Sequence, residues 1–364
     1  MSIKTLDVSN VRNVQSASLE CSQYSNLIIG PNGSGKTSLL ESMAVLSQGK
    51  SFRNSLKKSI IRDGQSSLTV SALLRAIDSD SMETRIGISK FGGGKTVAKV
   101  ALEKVQRVST LSSLLPVCVI EPNSMDIIEG GPSFRRQLMD WGVFHVEHGF
   151  IDHWRRFSHA LKQRNALLKT GQKDSSNQLD YWNRILVPSA EYVTNVRQKY
   201  MMELEETLSR SLTHFFMDDG IRIVLRDGWT DAGGYSECLD KTITKDLRYG
   251  FTTIGPHKAD LEICAGNHLA KDYLSRGQKK LAVYAIRLAQ IEQLQRKSGR
   301  QVSLLLDDLP SELDTNNCEK VCKEIKRIGC QVFITSINNT DLNSMIIDTL
   351  DPNVFHVEHG TVSV

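Results

Sequence analysis

The rhythm of hydrophobic and polar positions changes twice along this chain. The first third repeats every two residues. Ile3, Leu6 and Val8 open an apolar-rich strand, and Leu27-Ile28-Ile29 forms a short run that leads into a glycine-rich segment. Segments 67–77, 82–90 and 95–103 alternate and carry β-branched residues, with Gly92-Gly93-Gly94 as a loop before the last. Within this strand-rich region, Leu39, Leu40, Met43, Ala44 and Leu46 fall on or near one face of a helix predicted from Thr37 to Leu46.

The middle of the chain is helical. One pattern runs from Phe134 to about Ser176 and a second from about Asn177 to Phe216. Residues 171–177 are predicted to turn between them, and Pro188 is predicted to interrupt the second part at a helix start. A strand follows at Ile221–Leu225. The last third then alternates: helix over Lys279–Lys297, buried strand over Val302–Leu306, helix over Cys318–Ile328, strand over Gln331–Thr335. Such alternation predicts a parallel α/β sheet. The fold class expected is therefore α/β. One nucleotide-binding lobe is built from both ends, residues 1–122 and 250–364, with a mainly helical insertion or arm over 123–249.

Composition narrows the class only a little. Hydrophobic residues make up 40% and charged residues 24%, as in an ordinary globular protein, and the net charge of +4 is too mild to imply nucleic acid by itself. The longest clean apolar run, Leu114–Ile120, is broken by Pro116 and falls far short of the ~20 residues a membrane span needs. Lys4, Asp7 and Arg12 stand where a signal peptide would be apolar, so a cytoplasmic protein without a membrane partner is expected. The seven cysteines are scattered and read as reduced; His145, His148, His153 and His159 lack the companions of a metal site. Phe-His-Val-Glu-His-Gly occurs at 144–149 and 355–360 in unlike contexts and reads as coincidence.

Chemistry concentrates in three segments. The first, Gly30-Pro31-Asn32-Gly33-Ser34-Gly35-Lys36-Thr37, lies between a predicted strand and helix, the context a phosphate loop requires. Backbone N–H groups of Asn32–Lys36 can face phosphate oxygens, helped by Gly33, Gly35 and the helix N-terminus. Lys36 adds a charge at the β- and γ-phosphates, and Thr37 offers its hydroxyl to Mg²⁺. The contact set expected for ATP runs from Gly30 to Ser38. The second segment is Leu304-Leu305-Leu306-Asp307-Asp308. A carboxylate at the tip of a buried strand sits where α/β sheets bind ligands, which makes Asp307 the expected Mg²⁺ partner and Asp308 a candidate to orient the attacking water. The third is Leu274-Ser275-Arg276-Gly277-Gln278, a second helix N-terminus able to meet a γ-phosphate through Ser275, Gly277 and Gln278.

Taken in chain order, with the phosphate loop first, Leu274–Gln278 next and Asp307-Asp308 last, the three segments resemble the ABC/SMC class of ATPases, in which the L-S-x-G-Q element closes over ATP held by a second copy. Within the class the chain resembles the RecF recombination-repair family. The resemblance rests on Asn26–Thr37, Gly49-Lys50-Ser51-Phe52-Arg53, Ile60–Gly64, Gly130–Arg136, Leu161-Lys162-Gln163-Arg164-Asn165, Gly255–Leu261, Leu274–Gln278 and Asp307–Asp314, which span nearly the full length. It implies an ABC-type ATPase head like an SMC head with its coiled coil cut short. It also implies an ATP-induced homodimer that binds double-stranded DNA and its junctions with single strands. Such a protein would work with RecO and RecR to help load RecA in the nucleoid. Two departures matter. Asn123 follows Pro122 where the family usually has glutamate. Thr335 stands where transporters carry their histidine switch, as the family leads one to expect.

The shorter acid at Asp308, where transporter-type enzymes have glutamate, predicts slow hydrolysis suited to a clamp or timer. For DNA, Lys50, Arg53, Lys57, Lys58 and Arg62 form a stretch without an acid, and residues 151–170 carry a local excess of positive charge. Arg53, Lys57, Lys58, Arg62, Arg135 and Arg136 are the candidate contacts to DNA, with Arg135 and Arg136 alternatively placed against RecR. Two other classes remain: a transporter ATPase subunit, which would bind no DNA, and a P-loop metabolic kinase, which would not need the L-S-x-G-Q segment.

Overall fold

The computed structural model describes residues 1–53, 59–76, 83–170, 176–215, 220–229, 233–337 and 341–363. Residues 171–175 of the turn expected over 171–177 and the candidate residues Lys57 and Lys58 lie outside them, while Ser176 and Asn177 are already helical. The chain divides into two compact units, Met1–Ser124 with Lys280–Val364, and Met125–Lys279. Among the described residues no helix is long and apolar enough to cross a membrane.

In the first unit, β1 (Ser2–Val11), β2 (Val14–Glu20), β4 (Ser67–Arg75), β5 (Thr84–Phe91), β6 (Thr96–Val100) and β7 (Glu103–Val105) form an antiparallel sheet in the order β2-β1-β4-β5-β6-β7. Burial alternates along β2 and β4, as expected of a sheet covered on one face. The second sheet begins with β3 (Ser25–Ile29), every residue of which is buried. The helix α1 (Lys36–Gln48) presses Leu39, Leu40, Met43, Ala44, Val45 and Leu46 into the core shared with both sheets. A helix buried nearly all round explains why its apolar face is broad. A short α2 (Ser109–Leu114) precedes β8 (Val117–Ile120).

The second unit holds a 3-10 turn at Pro122–Ile127 across its boundary, then α3 (Pro132–Val146), α4 (Phe150–Thr170) and α5 (Ser176–Phe215). The predicted continuous helix from Phe134 to Ser176 is thus split near Gly149. Pro188 does not start a helix: it lies inside the 40-residue α5. The reason is packing, since Leu186 and Ala190 on either side of it are buried with Phe157 and Ala160 of α4. A proline that removes one ladder bond is tolerated when the flanking turns are held by a core.

Three elements beyond the insertion were expected in the nucleotide lobe but join the second unit. After β9 (Ile221–Arg226) and α6 (Gly234–Tyr249), β10 (Asp260–Ala265) and β11 (His268–Leu269) complete a three-stranded sheet in the order β11-β10-β9, followed by α7 (Ala270–Tyr273). Antiparallel pairing of β10 with β9, from Asp260↔Arg226 to Ala265↔Ile221, draws residues 250–279 into this unit. The unit boundary falls inside α8 (Arg276–Ser298).

The remaining elements are β12 (Ser303–Leu306), α9 (Leu309–Glu312), α10 (Thr315–Ile328), β13 (Gln331–Ser336), α11 (Asp341–Leu350), β14 (Asn353–Glu358) and β15 (Thr361–Ser363). They complete the second sheet as β15-β14-β3-β13-β12-β8, with β14, β3, β13, β12 and β8 parallel. In register, Leu306 meets Ile120 and Ile334, and Ser336 meets Ile29. The carboxyl ends of β8, β12, β13 and β3 therefore lie within two residues of one another, and the loops leaving them share one edge.

Buried charge organises the second unit. Arg164 and Asp246 are both fully buried and 2.8 Å apart. Arg197 pairs with Asp140 through two bonds of 2.9 Å and donates to the Pro256 carbonyl at 2.7 Å. Arg164→Leu leaves Asp246 charged and unmatched in the interior. It is expected to destabilise the protein by about 3–5 kcal/mol, read as a large fall in denaturation midpoint. His257 is a second handle. Burial holds its imidazole down at about 4, against an ordinary 6.5. The unfolded chain then binds a proton that the folded chain refuses, so stability present above 6.5 is lost as pH falls towards 4. Melting curves between about pH 7 and pH 5 should show the midpoint falling, and His257→Gln should flatten that slope.

Candidate nucleotide site

At the shared edge, the loop after β3 bends back over the start of α1. Gly35 makes that bend with φ at 122°, a backbone conformation that residues with a Cβ rarely adopt. The loop is tied from two sides. Asn13 donates to the Gly33 carbonyl at 2.9 Å, and Gly360 N–H, beyond β14, donates to the Ser34 carbonyl at 2.8 Å. Lys36 is nearly buried, and its ammonium donates to the Gly30 and Pro31 carbonyls at 2.7 and 3.0 Å. Burial lowers its pKa, while the carboxylates of Asp308 and Asp307 pull the other way.

Asp307 and Asp308 leave β12 directly opposite this loop. Asp307 Oδ1 accepts from the Thr37 hydroxyl at 2.9 Å and the Thr335 hydroxyl at 3.0 Å. Thr335 in turn accepts the Asp308 backbone N–H at 2.8 Å. Asp308 is held in the left-handed region at φ 58° and ψ 43°, a strained setting for a side-chain-bearing residue. Its Oδ1 and the Ser34 hydroxyl are buried without a hydrogen-bond partner. Orphaned polar atoms of this kind mark a place where another polar group belongs. Thr37 and Asp307 offer hard oxygens 2.9 Å apart, the donor chemistry that suits Mg²⁺.

These residues line a cleft of about 1280 Å³ within the first unit, roomy enough for a nucleoside triphosphate. Its wall holds features absent from the sequence reading. Glu41, buried on α1, takes two bonds from Arg12, Nε at 3.1 Å and Nη2 at 2.9 Å, and a short one from the Ser51 hydroxyl. An acid amid the buried apolar positions of a helix was the one available signal that a cationic partner must exist.

The candidate residues separate into groups. Gly30 to Ser38, Asp307 and Asp308 come together at this edge. Arg53 and Arg62 also line the cleft: Arg53 lies 3.4 Å from Asp307 Oδ2, and Arg62 donates to the Asn13 carbonyl at 3.2 Å. Arg135 and Arg136 belong to the second unit and are engaged there. Arg135 clasps Asp260 at 2.7 and 3.0 Å, and Arg136 donates to the Ala259 carbonyl at 2.9 Å. Arg135, offered from sequence as a candidate contact to DNA or RecR, has its charge matched by Asp260 within this unit.

Ser275, Gly277 and Gln278 are in the second unit and do not line the cleft. Ser275 and Gln278 cap α8 reciprocally: Ser275 N–H donates to Gln278 Oε1 at 2.9 Å, and Gln278 N–H to Ser275 Oγ at 3.4 Å. All three are exposed, and no other atom lies within 4 Å of the place a Gly277 Cβ would take. The result is an accessible helix N-terminus with a hydroxyl at its tip, suited to an anion.

Known proteins place this geometry. The sequence profile of the RecF/RecN/SMC N-terminal domain matches residues 2–363. The DNA replication and repair protein RecF of Shewanella oneidensis is 39% identical over 367 aligned positions, covering 100% of this chain and 99% of that protein. The protein of the same name from Shewanella sp. (strain MR-4) is 40% identical with the same coverage. Among solved structures, the recombination mediator RecF with ATP, of the RecFOR pathway, superposes with a TM-score of 0.87. It is 27% identical and covers 100% of this chain and 97% of its own. An SMC head bound to the C-terminal winged-helix domain of ScpA shares the fold, with a TM-score of 0.61 and 16% identity over 100% of this chain and 96% of its own.

The strain at Asp308 makes a prediction about stability. Asp308→Gly removes the left-handed penalty and the unpartnered carboxyl oxygen, at the expense of unfolded-state entropy. A net gain of up to about 1 kcal/mol is expected, seen as a melting midpoint about 1–2 °C above wild type. An unchanged or lower midpoint would mean that no strain is stored there.

Proposed function

The chain belongs to the RecF family, and from that premise we propose how it works: as an ATP-driven clamp on DNA in recombinational repair and replication-fork maintenance. The reading is carried by one observation, the meeting of Thr37, Asp307, Asp308 and Thr335 at the mouth of the phosphate loop. ATP would lay its phosphates along the N–H groups of Asn32 to Lys36, with the Lys36 ammonium turning from the Gly30 and Pro31 carbonyls towards the β- and γ-phosphates. Thr37 and Asp307 would hold Mg²⁺, which when bound neutralises phosphate charge. Asp308 would orient the attacking water, with Thr335 fixing its backbone. Aspartate reaches less far than glutamate, which favours slow, DNA-stimulated turnover over that of a pump.

The cleft is only half of the proposed catalytic site. Ser275, Gly277 and Gln278 of a second copy would cover the γ-phosphate, so ATP would join two subunits and hydrolysis would release them. DNA bound across that dimer would be duplex or a duplex–single-strand junction, and RecR with RecO would dock on the DNA-bound form to promote RecA loading. The segment from Arg53 to Arg62 is proposed to contact DNA, which would link DNA to the Asp307 side of the cleft. A cytoplasmic, nucleoid-associated location follows.

Two measurements test this reading. Sizing with ATP and Mg²⁺, with and without DNA, should show a dimer for wild type and a monomer for Ser275→Arg; a wild-type monomer under every condition would sink the shared site. Asp308→Asn should lower turnover by about 100-fold or more while ATP affinity holds. Unchanged turnover would remove Asp308 from the mechanism.

A further inference from the structure

Two sequence segments that the nucleotide site does not use meet elsewhere, in the second unit. They are Leu161-Lys162-Gln163-Arg164-Asn165 on α4 and Gly255-Pro256-His257-Lys258 after α6. Between them runs the turn Tyr249-Gly250-Phe251-Thr252-Thr253. Asn165 Oδ1 accepts from the Thr252 N–H at 2.8 Å and the Thr252 hydroxyl at 2.7 Å. Asp246 Oδ1 accepts from the Thr253 N–H at 2.9 Å and the Thr253 hydroxyl at 2.7 Å, while its other oxygen holds Arg164. Arg164 also donates to the Thr252 hydroxyl at 2.6 Å, and His257 Nε2 lies 3.0 Å from the Thr252 carbonyl. A fully buried ion pair and a chain of polar bonds thus fix one short surface turn.

What the turn displays is aromatic and basic. Tyr249 is 55% exposed and Phe251 39%, with ring centroids 5.9 Å apart. The Lys258 ammonium lies 5.1 Å over the Phe251 ring. Lys169, at the end of α4, lies against Gly250: its Cγ is 3.4 Å from where a Cβ would stand. Arg248 is exposed in the last turn of α6. No acid occurs in residues 161–170 or 247–259, and the adjoining Asp246 is buried and paired. Basic side chains at helix ends are commonplace. Two exposed rings on a turn fixed by buried charge are not explained by capping, since Tyr249 and Phe251 leave much of their ring surface to solvent.

We infer that this face, carrying Tyr249, Phe251, Lys258, Arg248 and Lys169, is a stacking platform for single-stranded nucleic acid. Bases would lie on the rings of Tyr249 and Phe251, and the three cations would follow the phosphates. Duplex DNA keeps its bases stacked internally and offers those rings nothing, so the platform would discriminate strandedness without reading sequence. The assignment rests on the DNA-binding reading above and adds a surface to it.

The test uses the full-length chain with Tyr249→Ala/Phe251→Ala, and anisotropy of a labelled oligo-dT and of a labelled blunt duplex, both at two salt concentrations. ATP affinity and the melting midpoint, both expected unchanged, confirm folding. Oligo-dT affinity should fall by about tenfold or more, duplex affinity should change less than about twofold, and Tyr249→Phe should behave as wild type. Equal losses on both DNAs would make the face a phosphate track for any nucleic acid, and unchanged oligo-dT binding would leave it to a protein partner; either overturns the platform. If wild type bound neither DNA, the DNA-binding reading itself would fail, an outcome separate from these.

Discussion

The nucleotide site depends on one constraint: four parallel strands whose carboxyl ends lie within two residues of one another on one edge. Because Leu306 is in register with Ile120 and Ile334, and Ser336 with Ile29, the residues just past these positions have no choice but to converge. The phosphate loop leaves β3, the acids leave β12, and Thr335 lies near the end of β13. One carboxylate then joins three elements. Asp307 meets the Thr37 hydroxyl from α1 and the Thr335 hydroxyl from the neighbouring strand. A slip of one residue in either pairing would turn Thr335 to the other face of the sheet and leave Asp308 without its backbone partner. The hydrophobic runs of these strands therefore fix the chemistry as well as the core.

The second unit shows the same economy with different materials. Its helices are held by the buried arginines Arg164 and Arg197, matched to a buried Asp246 and a partly buried Asp140, arrangements that contribute little net stability over an apolar core but tolerate no loss of one partner. Beyond their ion pairs, Arg164 donates to the Thr252 hydroxyl and so anchors that turn, and Arg197 donates to the Pro256 backbone carbonyl. Segments near Leu161–Asn165 and Gly255–Lys258 look functional in the sequence because they are unusual. In the fold, Arg164, Asn165 and His257 are turned to bonds within the unit, while Lys162, Lys258 and the turn between the segments face outward.

Local signals carried much of this into the sequence. The phosphate loop between apolar run and helix, the apolar strand ending in Asp307, and the alternating strands of the first sheet could be read because their periodicity is set by burial. The features that could not be read depend on long-range pairing. Thr335 is an ordinary strand residue until β12 lies beside it. Glu41 is an odd acid in an apolar helix until Arg12 reaches it. Arg53 looked like a cation for DNA, and the fold brings it beside an acid far along the chain, Asp307. Pro188 misled for the complementary reason: a local break rule was overridden by the packing of α5 on α4. Residues 250–279 were assigned to the wrong unit because strand pairing with β9 has no signature in the sequence between them.

The central claim is that each ATP is enclosed by Lys36 of one subunit and Ser275 of another. Mixing two inactive variants, Lys36→Ala and Ser275→Arg, tests it most directly. In a mixed dimer, one of the two sites combines an intact phosphate loop from the second variant with an intact Ser275 from the first. Neither variant should dimerise with itself, so ATPase activity should reappear only on mixing, through the one intact site of each mixed dimer. A mixture as inactive as either variant alone would contradict the shared site.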